Sequence, residues 1–129
     1  MASYVAAWPS ISPDQKLIVC AGRKDYGREL LLLPFEGGAP VKRIDLPAGN
    51  LGGYRFKWTP EGKSLIFMFQ QAGPISIVKQ SLDGGPLEVI ATFGQDELFD
   101  FDYSVDGQLL AATRGAWEHD VVLISDLNR

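Results

Sequence analysis

Three acidic side chains recur at one setting in this 129-residue chain: Asp14, Glu61 and Asp106 each stand two residues after a hydroxyl residue, namely Ser12, Thr59 and Ser104. Carboxylates repeated in this way could ligate a cation or share general acid and base work. Their constant place within short turn-like stretches argues for a structural role instead, because an Asp or Glu there accepts backbone N–H bonds and shapes the turn. His119 is the sole histidine and adjoins Asp120, a pairing that could act as a base. No Ser or Cys stands in a recognised nucleophile setting beside it, so His119 reads as a loop or strand-edge residue. The acids Asp96, Glu97, Asp100 and Asp102 could collect a cation or a basic peptide, yet they alternate around Phe99, Phe101 and Tyr103 as on a strand with one wet face. Cys20 is the one cysteine and lies in the apolar run Leu17–Ala21. It excludes an internal disulfide and a cysteine zinc cluster, and is expected to be a buried thiol. The chain is therefore read as non-enzymatic, without catalytic residues, cofactor or metal.

The elements that must position these residues form a repeat. WTPEGKSLIF, from Trp58 to Phe67, has weaker copies in ISPDQKLIV from Ile11 and YSVDGQLLA from Tyr103, and Ser12, Thr59 and Ser104 are separated by 47 and 45 residues. A second turn, Leu82-Asp83-Gly84-Gly85, matches Phe35-Glu36-Gly37-Gly38 at the same offset of 47. Two different turns repeating in step mark a repeat architecture. Between them run short apolar or alternating segments bounded by Gly, Pro and Asp, and no 3.6-residue apolar pattern extends beyond two turns. The reading is all-β, with about eleven strands in units of four. The repeats fall at approximately 4–50, 51–96 and 97–129, the last ending where a fourth strand would come. Antiparallel four-stranded units of this length are the blades of a β-propeller.

Composition excludes several functions. The share of hydrophobic residues, 46%, with 22% charged, fits a folded chain rather than a disordered one. A net charge of −4 lacks the positive field needed for non-specific nucleic-acid binding. The apolar runs, such as Leu17–Ala21 and Leu30–Leu33, are far below the roughly 20 residues that cross a bilayer, and MASYVAAWPSISPD lacks the basic lead and apolar stretch of a signal peptide. No membrane insertion of this chain is expected, and its compartment is not legible.

The element Ser/Thr-Pro-Asp/Glu-Gly-Lys-x-Leu, followed about 23 residues on by Leu-Asp-Gly-Gly, resembles the TolB-type, WD-repeat-like β-propellers of bacteria; Thr59–Leu65 and Leu82–Gly85 are the best matches. Gln15 in place of the turn glycine, Val105 in place of the turn proline and the lost Gly-Gly turn of the third repeat depart from the pattern. The last stretch, FDFDYSVDGQLLAATRGAWEHDVVLISDLNR, resembles the end of propeller tails carried by some bacterial serine/threonine protein kinases, although no kinase motif is present. That resemblance implies a regulatory, extracytoplasmic module. Propellers of the prolyl oligopeptidase type share similar repeats, which leaves substrate gating as the alternative.

Three blades of ordinary wedge angle do not close a ring, since propellers have typically four to eight. The chain is then part of a longer propeller, or half of a six-bladed ring formed by self-association, and the homodimer is the expectation for the isolated chain. Trp58 and Phe67 are expected to pack between blades and Glu61 to shape its turn. In a four-stranded blade the first and third connections share one face of the disc, and these are the uniform tight turns. The other face carries the dissimilar segments GRKDYGR, PAGNLGG, GQDE and RGAWEH, and binding residues concentrate on such loops. Arg23, Tyr26, Arg28, Arg114, Trp117 and His119 are accordingly the candidate contacts for a protein, peptide or small ligand, Arg and aromatic residues being enriched at binding hot spots.

Overall fold

The structure, a computed structural model, describes residues 6–24, 27–92, 94, 97–115 and 119–125. Among them are eleven strands and no helix. They are β1 (Ala6–Ile11), β2 (Leu17–Lys24), β3 (Gly27–Pro34), β4 (Lys42–Asp45), β5 (Asn50–Trp58), β6 (Ser64–Gln70), β7 (Ser76–Ser81), β8 (Glu88–Thr92), β9 (Glu97–Tyr103), β10 (Leu109–Gly115) and β11 (His119–Ser125). They form three antiparallel meanders, ordered β1-β2-β3-β4, β5-β6-β7-β8 and β9-β10-β11. The first strands touch in sequence, β1 against β5 and β5 against β9, which places them at a common hub. This is the arrangement expected of successive propeller blades, the third with three described strands.

The sheets stack through two cores. Val19, Ala21, Leu30, Leu32 and Ile44 of the first sheet meet Phe56, Trp58, Leu65, Phe67 and Phe69 of the second. Phe67 sits edge-on to Phe56 and Phe69, with ring centroids 5.3 and 6.2 Å away, a favoured aromatic geometry. On the other side, Ile66, Met68 and Ile77 pack against Leu98, Phe101, Leu110 and Ala112. Strand β6 thus has both faces covered, and every residue from Ser64 to Phe69 is buried. That explains why its sequence reads as a continuous apolar run rather than an alternation. Trp58 and Phe67 lie between sheets as their repeat position predicts, and the Trp58 indole N–H donates to the Ser10 carbonyl at 3.1 Å. Cys20 is buried, and burial pushes its thiol pKa up.

The repeated turns are nearly superposable in their bonding. Gln15, Gly62 and Gly107 donate N–H to the carbonyls of Ser12, Thr59 and Ser104 at 2.9, 2.8 and 2.9 Å, and all three have positive φ, 61°, 74° and 74°. Gln15 therefore keeps the left-handed geometry that glycine supplies freely elsewhere. In the outer turns, the Ser12 and Ser104 hydroxyls donate to Asp14 and Asp106 at 2.7 Å, and the same carboxylates accept N–H from Lys16 and Gln108 at 3.0 Å. The middle turn differs from expectation. Its polar closure is made by Thr59 Oγ1, which accepts the Ser64 N–H at 3.1 Å, and Glu61 makes no hydrogen bond among the described residues. An extra methylene carries the Glu carboxylate past the backbone donors that an Asp reaches.

Three loop expectations are also corrected. Most of GRKDYGR is strand, because Arg23 and Lys24 pair with Arg28 and Gly27, and Arg114 and Gly115 likewise pair with Asp120 and His119. In PAGNLGG, Asn50 already opens β5, so only its first residues connect the sheets. Long hairpins extend the backbone ladder past the point where the side-chain pattern turns polar. The far face of the third sheet is bare, with Val121 and Leu123 62% and 63% exposed. The far face of the first sheet is not bare at its centre, where Cys20 and Leu31 are buried, although Ile11 is exposed.

Candidate functional site

Meander topology sends the β2–β3, β6–β7 and β10–β11 hairpin ends to the face opposite the repeated turns. Arg23 and Arg28 stand directly across from each other in the β2–β3 ladder. They share a side of the sheet with Ala21 and Leu30, since side chains two apart on a strand point the same way, and that side faces the second sheet. Arg23 is exposed and Arg28 half-buried. The Arg28 guanidinium lies over the Trp8 ring, 5.8 Å from its centroid, within cation–π range.

Trp8 is presented by an irregularity. The β1–β2 register slips between Ala7 and Ser10, and Trp8 there has φ 61°. A bulky residue at positive φ is costly, of order 1–3 kcal/mol, and such strain clusters at functional sites. A bulge also re-aims the side chain it contains. The other hub strands slip too, β5 between Gly52 and Lys57 and β9 opposite Thr113–Arg114, so each blade breaks its ladder on the way to the hub.

Of the six candidate contacts, Arg23, Arg28 and Arg114 can be placed, and all three lie at hairpin ends on one face. Arg23 and Arg28 come together in the first sheet, and Arg114, half-buried, stands in the third. Tyr26 and Trp117 lie outside the described residues, as does the His119 side chain, whose backbone pairs with Gly115. The sequence reading missed Trp8. The signal available was its position beside Pro9 in a hub strand, and nothing there marked a bulge.

Asp100 and Asp102 of the acidic cluster are engaged in structure. Asp102 is 3.2 Å from Lys57 Nζ and Asp100 is 4.0 Å from Arg55 Nε, so these carboxylates join hub strands of neighbouring sheets. The Tyr103 N–H, then Lys57, hold the Asp102 carboxyl below its ordinary pKa. Arg55, Asp100, Asp102, Ala111, Thr113 and Val121 border an open recess of about 220 Å³ on the bare side of the third sheet. Asp96 lies outside the described residues. Asp14 and Asp106 also titrate low, held by the serine hydroxyls and then the backbone N–H groups of their turns. Among the described residues no group of three or more His, Cys, Asp or Glu is arranged to hold a metal ion. Nor is any described helix long and apolar enough to cross a membrane.

Fold and hub geometry define a segment of a β-propeller. Its blades have the TolB-type propeller fold: TolB from Acinetobacter baumannii superposes with a TM-score of 0.69 over 92% of this chain and 29% of that one, at 19% identity. The β-propeller domain of the Trilobed protease from Pyrococcus furiosus matches at TM-score 0.64 and 13% identity, over 96% of this chain and 40% of its own. A prolyl endopeptidase structure matches at TM-score 0.67 and 20% identity, over 96% of this chain and 21% of its own. In sequence, an uncharacterized protein of Agrobacterium fabrum is 32% identical over 99 residues, which is 76% of this chain and 32% of that protein. The chain thus spans about a third of the length of the curated relative it matches. No family model matches the sequence.

Proposed function

We propose that the chain is a non-catalytic interaction or sensing module, a run of propeller blades that binds a protein or peptide on the face carrying the hairpin ends. The observation that carries this reading is the asymmetry of the two faces. One is built from near-identical turns whose three hydroxyls, and whose Asp14 and Asp106 carboxylates, are bonded within their own turns, Glu61 being the exception. The other gathers Arg23, Arg28 and Arg114 at the tips of a rigid scaffold, where binding groups concentrate. Peptides selected on the immobilised chain would test it. Binding should fall at least tenfold when Arg28, Arg114 and Trp117 are replaced together, and should survive replacement of Glu61 and Asp83 on the turn face. Survival of the first replacement sinks the reading.

The exposed apolar side of the third blade supports a second element of this proposal: in the working protein another blade covers it. For the isolated chain we assign that blade to a second copy, giving a six-bladed ring. The likeness of the 97–129 segment to kinase propeller tails makes a regulatory kinase region one setting for the module. The fold shared with a prolyl endopeptidase supports the alternative, a substrate-gating propeller. A neighbouring Gly-x-Ser-x-Gly elbow in the parent protein would favour the peptidase, and a Gly-rich loop with a catalytic Asp would favour the kinase.

A further inference from the structure

We propose that Arg23, Arg28 and Trp8 form a receptor for side-chain carboxylates of an acidic peptide segment. The inference rests on the hairpin-end face being the working face, and goes beyond it in naming the ligand chemistry. Directly opposed like charges weaken a strand pair, so the Arg23–Arg28 pair works against its own ladder. Neither arginine has an acidic partner among the described residues. Asp25 lies outside the described residues, and Glu29, the acid next to Arg28, cannot serve. It points to the opposite side of the sheet, is buried, and is engaged by Arg43 at 2.9 Å. The Trp8 ring lies beneath the Arg28 guanidinium at 5.8 Å, and a guanidinium held over a ring keeps its N–H fork available for bidentate capture of a carboxylate. Trp8 itself has φ 61° within the β1–β2 register slip. Because the whole chain is net negative, no general field attracts an anionic peptide, and the local pair must supply the recognition.

The test titrates the full chain at physiological salt with end-blocked hexaglutamate and, separately, with inorganic phosphate, following the arginine Nε–H signals by NMR. Saturable movement of the Arg23 and Arg28 signals by hexaglutamate is expected. At least a tenfold loss of affinity should follow in R23Q and in R28Q, with less than a twofold loss in K63Q on the turn face. R23Q should keep or raise the urea midpoint, because the opposed charges are relieved without loss of the Arg28–Trp8 contact. The proposal is overturned by unmoved arginine signals, by an equal loss in K63Q, by a lowered midpoint in R23Q, or by a response to phosphate alone. If hexaglutamate fails while selected peptides still depend on Arg28, Arg114 and Trp117, the ligand assignment falls and the working face stands.

Discussion

Replacing Trp58 by Phe probes the joint between the first two blades. The indole N–H donates to the Ser10 carbonyl 48 residues away at 3.1 Å, and the ring is 91% buried in the core shared by the two sheets. Phenylalanine keeps an aromatic ring but removes the donor and part of the volume. Leaving the Ser10 carbonyl without that partner costs about 1–3 kcal/mol. Complete Trp truncation costs about 3–5 kcal/mol, so loss of part of the ring adds about 1 kcal/mol. The expected destabilisation is about 2–4 kcal/mol, a large part of the roughly 5–15 kcal/mol available to a domain. Urea unfolding followed by far-UV circular dichroism and tryptophan emission measures it. A single transition should move to lower urea with its slope unchanged, since the surface exposed on unfolding is the same. Tyr103 occupies the equivalent position in the third blade, and its hydroxyl has no hydrogen bond among the described residues, so Tyr103→Phe should stay within about 0.5 kcal/mol of wild type. A loss below 0.5 kcal/mol for Trp58→Phe, or a transition split into two, would refute the idea that the blades are joined into one cooperative unit through this residue.

Three further outcomes are expected. A Cβ at Gly107 would meet Pro60 Cγ at 2.8 Å, whereas at Gly62 the nearest atom is Pro13 Cδ at 3.8 Å, and both have φ +74°. Gly107→Ala should therefore cost more than Gly62→Ala, by about 1 kcal/mol or more in thermal unfolding, while Gln15→Gly, which relieves a left-handed side chain, should stabilise by up to about 1 kcal/mol. Arg43→Met should destabilise by about 2–4 kcal/mol, because Glu29 is 1% exposed and would lose the cation bonded to it, and the double variant Glu29→Met/Arg43→Met should recover most of the loss. The depressed carboxyls of Asp14 and Asp106 contribute stability that is present above their unfolded pKa near 4 and lost as pH falls through their lower folded values. The Asp14→Asn/Asp106→Asn variant should accordingly show a shallower decline in melting temperature below about pH 4 than the wild type.

How much of this was legible depended on whether a feature is local. The turns at Ser12, Thr59 and Ser104 carry their own signature, since Pro, Asp and Gly act within four residues, and the spacing of those turns sets the blade count and the strand order. Trp58 was placed between blades from its repeat position alone. Features set by partners across sheets were not legible. The bulge at Trp8 depends on how β1 meets β2 and the hub, and the employment of Asp100 and Asp102 depends on Arg55 and Lys57 arriving from another sheet. The failure at Glu61 has a different source: Asp and Glu are alike in charge, but only the shorter side chain reaches the turn donors. Of the proposed binding face, the sequence identified the hairpin ends and their arginines. The pairing of Arg23 with Arg28 needed the register, and the stacking on Trp8 needed coordinates.

Sedimentation equilibrium of the isolated chain at micromolar concentration, read beside its circular dichroism, bears most directly on the proposal that two copies of this chain pair into a six-bladed ring. A folded species at twice the 14.1 kDa mass of one chain is expected, dissociating when Val121→Asp and Leu123→Asp place charges on the bare side of the third blade. A stable, folded monomer at 14.1 kDa would contradict it.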